Sequence, residues 1–300
     1  MGKKRTLSDI AMYNRKTDEY VCTFMSPVED KLSAKSQIIS TIDAAVVVFS
    51  QMTRALGETI LMLDLMGVKT GIAVPTPYAT SDRIMSITKG TSIESYSIQD
   101  RNPGMVLETL KGINPRRDSE PPVVIVVDHS FSVRGVGEVV LGFVTKGSVR
   151  RYDRLTLLPS NKEVIVRSIQ VQDEDCEVAE AGTRVGLAIK GASLDELARG
   201  SVLTKSSQVR ALSRIKLAFD PNPFYTEGAR DGPFHVTVGM QTNPVTVSHA
   251  DGGSVSVESV KPIVYEPGDV ALLLDLNAKK TRIVGRGRCE ADSYPVNEAG

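Results

Sequence analysis

A polar, proline-rich stretch at residues 113–122 divides the chain into two parts whose sequence patterns differ. Such stretches commonly connect domains, because proline and charged residues pack poorly into a core. Before the stretch, apolar runs with strand spacing alternate with runs of helical spacing. After it, short runs rich in β-branched residues follow one another, separated by turn residues. We therefore predict an α/β part followed by a part made of strands.

The all-strand part contains a second break, near residues 206–211. Short strands at even spacing are typical of small antiparallel β-barrels or sandwiches, so the runs on either side of the break predict two such units. A chain of 300 residues also exceeds what one hydrophobic core usually holds. We predict three domains, at residues 1–121, 122–208 and 209–300.

The α/β prediction depends on one pattern in the first part. Residues 44–49 form a continuous apolar run, as in a strand that is buried on both faces. Apolar residues then recur with helical spacing from Met52 to Leu63, and Gly67 stands where a helix would end. A second apolar run at residues 70–74 completes a strand–helix–strand unit. Units of this kind build parallel sheets.

The composition excludes several function classes. The 36 lysine and arginine residues are balanced by 36 aspartate and glutamate residues, and the balance holds within each predicted domain. A uniformly basic coat for nucleic acid is thereby excluded, so any RNA contact must depend on a local patch. The 3 cysteines and 3 histidines lack the spacings of zinc motifs and of a Ser-His-Asp site, so we predict no metal and no catalytic residue.

The chain also lacks the sequence signals of membrane contact and secretion. No apolar run approaches the roughly 18 residues that a membrane-spanning helix needs. The first residues are charged and no apolar segment follows them, unlike a secretory signal. We expect a cytoplasmic protein without membrane contact.

The most specific pattern in the chain lies within residues 127–203. It runs through six segments, at residues 127–142, 144–149, 153–155, 158–159, 181–188 and 194–203. It resembles the second domain of the EF-Tu and SelB translation elongation factors, which is a β-barrel in that family. No helix follows Gly135 and Gly137, so this pair predicts a hairpin turn and not a dinucleotide-binding loop.

Three turns nearer the C-terminus resemble the third domain of the same family, also a β-barrel. They lie at residues 227–234, 266–269 and 284–287. The resemblance indicates an archaeal type of factor, and the SelB-like methanogen factor called EF-Pyl is one candidate subgroup. The resemblance implies a P-loop-GTPase-like α/β domain followed by two antiparallel β-barrels.

The same resemblance implies a GTP site in the first domain, but the residues of that site differ. A phosphate-binding loop needs the pattern GxxxxGK followed by serine or threonine, whose hydroxyl binds Mg²⁺. Gly2 and Lys3 supply a Gly-Lys pair, but Lys4 takes the position of the hydroxyl. We predict that these three residues do not form a working phosphate site.

Two further motifs of the family are altered as well. In the family's Asp-x-Pro-Gly-His motif, Met25 replaces the Mg²⁺-linked Asp, Val28 the Gly at the γ-phosphate, and Glu29 the water-positioning His. In the guanine-reading Asn-Lys-x-Asp motif, the chain has Thr76-Pro77-Tyr78-Ala79, so an alanine replaces the carboxylate. We predict a degenerate GTPase domain that does not hydrolyse GTP and binds neither GTP nor Mg²⁺.

The family's second barrel holds the 3′ end of aminoacyl-tRNA, and the resemblance assigns this role to six positions. Four apolar residues would form the walls for the terminal base. Of the two polar positions, one matches a family Glu near the terminal adenosine and the other a family Asn that helps enclose the amino acid. They are Phe131, Val133, Val139 and Ile189 for the walls, and Gln170 and Arg184 for the polar groups. Apolar strand residues also fill barrel cores, so an alternative interpretation is that the walls are core residues.

Two basic groups are candidates for phosphate contacts. The second domain contributes Lys146, Arg150, Arg151 and Arg154. The third domain contributes Lys279, Lys280, Arg282, Arg286 and Arg288. Each neutralised phosphate would make RNA binding more dependent on salt. The alternative is a solvated barrel face whose cations are balanced by nearby acids.

Together these observations favour a translation factor homologue without GTP or Mg²⁺ that acts as a tRNA- or RNA-binding module, with an unusual aminoacyl-tRNA as one possible cargo. Its expected partners are the 3′ end of a tRNA or another RNA, and the ribosome or other translation factors. One alternative is a working translational GTPase whose phosphate loop is altered or trimmed. Another is a protein-interaction scaffold without RNA contact.

Overall fold

The computed structural model describes residues 4–7, 9–17, 20–115, 117–251 and 253–291, with the backbone alone for residues 4–7. Three units follow one another along the chain: an N-terminal unit of strands and helices, and two antiparallel β-barrels. This order confirms the fold class predicted from the sequence. The boundaries predicted at residues 121/122 and 208/209 fall in connections between elements.

The described part of the chain begins with a small antiparallel sheet. Its strands are β1 (Lys4–Leu7), β2 (Ile10–Lys16) and β3 (Val21–Pro27). Strand β2 lies in the middle and pairs with both neighbours, from Ile10 opposite Pro27 to Lys16 opposite Val21 on the β3 side. The sequence analysis did not predict these three strands.

A parallel sheet of three strands follows, in the order β4–β5–β6. The elements in chain order are α1 (Leu32–Ile39), β4 (Ala45–Val48), α2 (Arg54–Leu65), β5 (Gly71–Val74), α3 (Ser81–Thr88), a 3₁₀ turn (Ser92–Ser95), β6 (Ser97–Ile98) and α4 (Pro103–Lys111). The predicted strand–helix–strand unit is present as β4, α2 and β5. Within the described ranges, no helix is long and apolar enough to cross a lipid bilayer.

Helix α2 begins and ends at the signals in its sequence. The Thr53 side chain accepts a hydrogen bond from the backbone N–H of Leu56 at 3.3 Å, which caps the first turn. Beyond the last turn, Gly67 adopts a φ of +68°, a conformation that strains other residues. These local signals explain why the sequence predicted this helix well.

Strand β4 is buried on one face only. Ala45 and Val47 are buried beneath the helices, but Val46 and Val48 are 40% and 49% exposed. The expectation of burial on both faces is therefore wrong. In the described part of the chain, Val46 and Val48 point away from the apolar cluster that holds Ala45 and Val47, so the second face of β4 is left partly open.

The second unit is a closed barrel built from nine strands. They are β7 (Val124–Val133), β8 (Gly137–Lys146), β9 (Ser148–Arg150), β10 (Arg154–Leu158), β11 (Lys162–Val171), β12 (Glu174–Cys176), β13 (Val178–Glu180), β14 (Arg184–Lys190) and β15 (Val202–Thr204). Six of them form the ring β10–β15–β7–β8–β14–β11, which closes because β11 pairs with β10. Gly135 and Gly137 lie at the β7–β8 hairpin with φ of +83° and +101°, in agreement with the predicted turn.

The third unit is a closed six-stranded barrel. Its strands are β16 (Arg210–Pro221), β17 (Gly232–Val238), β18 (Gln241–Ala250), β19 (Ser254–Tyr265), β20 (Val270–Leu274) and β21 (Ile283–Cys289). They close in the order β16–β19–β18–β17–β20–β21. Each barrel has its own apolar core, made by the alternate side chains that point inward.

A shared core joins the N-terminal unit to the third barrel. Side chains of α2 pack in one apolar cluster with Leu272, Leu274 and Ile283 of β20 and β21. Polar contacts accompany this cluster: the buried hydroxyls of Ser36 in α1 and Thr237 in β17 lie 2.8 Å apart. The N-terminal unit is thus fixed to the third barrel by both apolar and polar contacts.

Candidate functional site

The positions predicted for a phosphate loop lie at the start of the chain. Gly2 and Lys3 are outside the described residues, and Lys4 is described by its backbone alone. That backbone begins strand β1, with Lys4 opposite Tyr13 of β2. A phosphate-binding loop connects a strand to a helix, whereas the chain from Lys4 runs as a strand toward β2.

The second altered motif lies at the end of β3 and in the turn beyond it. Met25 is half-buried and packs against the apolar cluster that contains Ile10. Val28 is 48% exposed, and the Glu29 carboxylate lies 3.6 Å from Nζ of Lys31. Mg²⁺ prefers oxygen ligands, and the thioether of Met25 does not supply one.

The third altered motif forms a tight turn after β5. Thr76 and Ala79 exchange two backbone hydrogen bonds, of 3.3 and 3.0 Å, and the Thr76 hydroxyl donates to the Phe49 carbonyl at 2.6 Å. Pro77 and Tyr78 form the tip, where Tyr78 is 64% exposed, while Ala79 is fully buried. The position that the resemblance matches to the guanine-reading carboxylate is therefore a buried methyl group.

An apolar patch lies on the outer surface of the second barrel. Phe131 of β7 is opposite Val139 of β8, and Val139 is opposite Ala188 of β14. Val133 lies two residues beyond Phe131 and therefore on the same face. Phe131, Val133 and Val139 are all half-buried, and we call these three residues the outer patch. The His129 ring lies 5.8 Å from that of Phe131, centroid to centroid.

Ile189, the fourth predicted wall residue, lies elsewhere. It is 4% exposed and belongs to the barrel core with Val140 and Leu187. Side chains alternate along β14, so Ala188 faces outward and Ile189 faces inward. The structure therefore does not bring Ile189 to the outer patch.

Gln170 lies in the row beside the outer patch. It is exposed on β11, opposite Gly186 of β14, which in turn lies opposite Leu141 of β8. Its amide Nε2 donates to Asp175 at 2.9 Å. This hydrogen bond fixes the orientation of the amide group. The side-chain oxygen of Gln170 is therefore a candidate acceptor for a hydrogen bond from a bound base.

Arg184 is held in a buried ion pair. Its Nε donates to Oδ2 of Asp128 at 2.7 Å, and its Nη2 donates to Oδ1 at 3.0 Å. The two side chains are 8% and 0% exposed. The guanidinium also lies 5.8 Å from the centroid of the Phe143 ring. Arg184 was predicted to lie beside the RNA end, but its guanidinium is engaged by its own barrel.

A second arginine connects this pair to the N-terminal unit. Arg199 donates to the Asp128 carbonyl at 3.2 Å, to Oδ1 of Asp9 at 2.7 Å and to Oε1 of Gln37 in α1 at 3.4 Å. The sequence analysis missed Asp128 and Arg199. The available signal was an acid directly after the apolar run 123–127, because a carboxylate in a buried strand needs a partner.

The side chain of Lys146 lies between two acids. Its Nζ is 3.7 Å from the carboxylate of Asp118 and 3.6 Å from that of Glu266 in the third barrel. The Lys146 side chain is 27% exposed. An RNA phosphate would have to compete with both carboxylates for this cation.

The three predicted arginines of the second barrel lie on its exposed side. Arg151 is 3.2 Å from Glu177, and Arg154 is 2.7 Å from Glu163. Arg150 is exposed beside them. Two of the three arginines thus form ion pairs on a solvated surface. This arrangement agrees with the alternative interpretation, in which nearby acids balance the cations of this barrel face.

The cations of the third barrel are spread over different environments. Lys279 and Lys280 are exposed. Arg282 donates to the buried carboxylate of Glu58, and Arg286 donates to Asp220 at 3.0 Å. Arg282 is therefore part of the interface with α2 and is not free for a phosphate.

A cleft of about 1040 Å³ lies among the three units. Its walls include Phe24 of β3, Val126 and Phe143 of the second barrel, and Met240 of the third. Arg184 lines the same cleft. Ligand-binding sites are common between domains, so this cleft is a second candidate ligand site, near the outer patch.

Comparison with protein families and curated proteins shows what the chain is similar to. The family described as elongation factor Tu domain 2 matches residues 137–204. The uncharacterized protein MJ0325 of Methanocaldococcus jannaschii is 35% identical over 291 residues, which cover 96% of this chain and 94% of that protein. The selenocysteine-specific elongation factor of the same organism is 29% identical over 215 residues, which cover 64% of this chain and 45% of that protein.

Solved structures show the same architecture. Translation elongation factor SelB from Methanococcus maripaludis, in complex with the GTP analogue GPPNHP, superposes with a TM-score of 0.82 at 25% identity. The match covers 96% of this chain and 74% of that one. A bacterial selenocysteine-specific factor, EF-Sec, shares the fold with a TM-score of 0.78 at 18% identity, over 94% of this chain and 51% of that one.

None of these relatives is described as EF-Pyl, so that subgroup stays a prediction. The broader assignment does not depend on it. One relative matches over nearly its whole length, the second barrel matches the elongation factor Tu domain, and all three units superpose on SelB. The chain belongs to the family of EF-Tu/SelB-like translation elongation factors.

Proposed function

We propose that this translation factor binds the 3′ end of a tRNA or another RNA on the outer patch of its second barrel. The observation that carries the proposal is the half-buried aromatic ring of Phe131, flanked on the same face by Val133 and Val139. Bases stack on such rings with little regard to sequence. The exposed amide of Gln170 lies on β11, with β14 between it and the patch residue Val139 of β8, and is a polar group on the same side of the barrel that can bond a nucleotide beyond the stacked base.

The proposed module works without GTP. Three features support this part of the proposal: Lys4 begins a strand, Met25 at the predicted Mg²⁺ motif carries a thioether and no oxygen ligand, and Ala79 at the predicted guanine motif is a buried methyl group. GTPases need the phosphate cradle, the metal and a base contact together. We propose that this chain neither hydrolyses GTP nor binds GTP and Mg²⁺.

RNA contact is proposed to involve few phosphates. Arg150 is exposed. Arg151 and Arg154 lie near it, but each forms an ion pair with a glutamate, Glu177 and Glu163 respectively. Each phosphate that a protein neutralises on single-stranded RNA contributes about −0.7 to the slope of log K against log salt. A slope shallower than about −2 is therefore expected, with the ribosome or other translation factors supplying further contacts.

Calorimetry with nucleotides tests the loss of GTP binding. Titration of the full chain with GTP and with GDP, each with MgCl₂, is expected to give no binding heat at nucleotide concentrations up to about 1 mM. A Kd of about 1 mM corresponds to a binding free energy of about −4 kcal/mol. The SelB that was crystallised with GPPNHP serves as the positive control. Micromolar binding would instead support a working GTPase.

Fluorescence anisotropy with a labelled minihelix ending in CCA tests the RNA site. Phe131→Ala is expected to weaken binding by about tenfold or more, because stacking contributes about 1–3 kcal/mol per base. Phe224→Ala is the matched control, since Phe224 is a 66% exposed phenylalanine on the third barrel. Absence of binding at low salt would remove the RNA proposal and favour a protein-interaction scaffold.

A further inference from the structure

Two strands of the N-terminal unit each have one edge without a partner strand. In the described part of the chain, β3 pairs only with β2, and β4 pairs only with β5. The small antiparallel sheet and the parallel sheet are therefore not joined to each other. Each sheet ends at a strand whose outer backbone groups are not used by a ladder.

The flanking hydrogen bonds identify the unused backbone groups of β3. Thr17 donates to the Tyr20 carbonyl at 2.9 Å, across the turn that joins β2 to β3. Bonded residues alternate along an antiparallel pair, so the backbone groups of Val21, Thr23 and Met25 point to the free edge.

The same reasoning applies to β4. Ala45 donates to the Thr70 carbonyl at 3.1 Å, and Phe49, just beyond the strand, donates to the Val74 carbonyl at 2.9 Å. These residues therefore face β5. The N–H and carbonyl groups of Val46, which lies between them, point to the free edge of β4.

Both free edges border the cleft among the three units. Consecutive residues line that cleft, at positions 20–25 in and before β3 and at positions 44–47 in and before β4. Successive side chains of a strand point to opposite faces, so a run of consecutive residues borders a space that lies along the edge of the strand. We call the part of the cleft between β3 and β4 the slot.

Helix α1 indicates the width of the slot. Ile38 packs in one cluster with Ile10 of β2, whereas the adjacent Ile39 packs in another cluster with Val47 of β4. One helix thus lies over both sheets. A helix with its side chains is about 10–12 Å wide, and two strand spacings are about 9.5 Å, so one further strand fits between β3 and β4.

The lining of the slot is largely apolar. Ile38 and Ile39 contribute from α1, and Leu107 and Leu110 contribute from α4. The two leucines are only half-buried, and α4 has no fully buried residue. Val46 lines the slot as well. A strand covered by such groups would itself carry apolar side chains in succession.

An unpaired polar group lies at one end of the slot. Tyr20 lines the cleft directly before β3, and its hydroxyl is buried without a hydrogen-bond partner among the described residues. Buried hydroxyls are normally hydrogen-bonded. A peptide carbonyl in the slot would be an acceptor for this hydroxyl.

We propose that a partner protein inserts an extended apolar segment between β3 and β4 and so joins the two sheets. Only a ligand with backbone donors and acceptors at strand spacing can pair with both free edges. The segment is about five residues long, because Val21 to Met25 span about 17 Å. Residues 292–300 of this chain do not match it, since they include a proline and two acids and no apolar run.

Fluorescence anisotropy with a synthetic peptide tests the slot. The probe is fluorescein-labelled KKVIVIVKK, whose central residues supply the strand and whose lysines keep it soluble. It is expected to bind the full chain with a Kd below about 100 μM. The same peptide with N-methyl groups on both isoleucines keeps its side chains but loses two backbone donors, so it should bind about tenfold more weakly. A peptide with the sequence of residues 292–300 should not bind.

Two variants of the full chain test the position of the peptide. Val46→Lys places a charge beside the apolar strand and should weaken binding by about tenfold or more. Met52→Lys is the matched control, because Met52 is similarly exposed, at 44% against 40%, but is not among the described residues that line the cleft. Its effect should stay within about twofold. Circular dichroism and melting curves show whether both variants fold.

Hydrogen exchange of the wild-type chain decides the inference even if Val46→Lys fails to fold. The peptide should slow exchange at the amides of Val21, Thr23 and Val46, which point into the slot. Protection of one strand alone, equal binding of the N-methylated peptide, or no binding would overturn the proposal. Binding of the 292–300 peptide as tight as that of the probe would overturn it in favour of the chain's own C-terminal segment. None of these measurements uses RNA, so they are independent of the RNA site.

Discussion

Two buried carboxylates, Glu58 of helix α2 and Asp128 of strand β7, are each bound by arginine but connect different parts of the molecule. Glu58 accepts hydrogen bonds from Arg54 of its own helix at 3.1 Å, and from the backbone N–H and Nε of Arg282 in the third barrel, both at 3.0 Å. Asp128 takes its bidentate bonds from Arg184, on another strand of the same barrel.

The difference shows how one kind of contact serves two purposes. The Glu58 contact lies at an interface, where it joins the N-terminal unit to the third barrel beside their shared apolar core. The Asp128 contact lies within one barrel and shapes its outer surface. Removing Glu58 should therefore loosen two units from each other, whereas removing Asp128 should alter one barrel.

The largest effect is expected for Glu58→Ala. The carboxylate is 2% exposed, and its loss leaves the 19% exposed Arg282 without its partner, so we expect a destabilisation of about 3–5 kcal/mol. Urea denaturation measures it. Glu108→Ala is the matched control: Glu108 also pairs within its helix, with Lys111 at 2.8 Å, but is 71% exposed and should cost less than about 1 kcal/mol. Equal costs for the two variants would contradict the comparison.

Asp128→Ala is expected to destabilise the protein by about 3 kcal/mol, because Arg184 is left buried without a counter-charge. Hydrogen exchange should rise mainly in β7, β8 and β14 of the second barrel, whereas in Glu58→Ala it should rise in α2 and in the β21 strand. Asp128→Leu combined with Arg184→Met should recover most of the loss, since apolar replacement of a buried pair is often neutral. A spread of fast exchange into α2 in the Asp128 variant would count against separate roles.

Sequence patterns predicted much of the fold because they act over short distances. The β4–α2–β5 unit follows from apolar spacing and from the signals at Thr53 and Gly67. The glycines of the β7–β8 hairpin likewise mark a turn where φ is positive. The strands β2 and β3 lacked such signals, because residues 10–16 and 21–27 mix polar and apolar residues without a regular alternation.

The candidate site was harder to predict because it depends on long-range pairing. Asp128 and Arg184 are 56 residues apart, and no local pattern shows that they meet. A bulge between Val127 and His129 also shifts the register of β7, which changes the side of the strand on which later residues lie. Side chains alternate between the two faces of β14 in the same way, so Ile189 lies in the core and Ala188 lies outside it.

A smaller effect is expected from the protonation of Glu58. Burial by itself raises the pKa of this carboxyl, but the hydrogen bonds and charge of Arg282, with help from Arg54, outweigh it, so the pKa lies below its ordinary value. Stability from Glu58 is thus fully present above its pKa in the unfolded chain, about 4.3, and is lost as the pH falls through the lower folded pKa.

Urea denaturation between pH 6 and pH 3 measures this dependence. In Glu58→Gln, the slope of the free energy of unfolding against pH should lose the contribution of one proton, which is at most about 1.4 kcal/mol per pH unit. Stability curves that run parallel in the wild type and in Glu58→Gln would show that the interface carboxylate does not titrate differently on folding.

The smallest effect on stability is expected for Arg154→Ala. Its ion pair with Glu163 is 2.7 Å long, as short as the Nε bond between Arg184 and Asp128, but the two side chains are 68% and 60% exposed. Solvent screens such a pair and both side chains stay mobile, so the cost should be below about 1 kcal/mol. RNA binding should respond differently, since the loss of one phosphate contact should make the slope of log K against log salt shallower by about 0.7. If Arg154→Ala instead lost 3 kcal/mol or more, burial would not explain why the two buried pairs are expected to contribute more stability than this exposed pair.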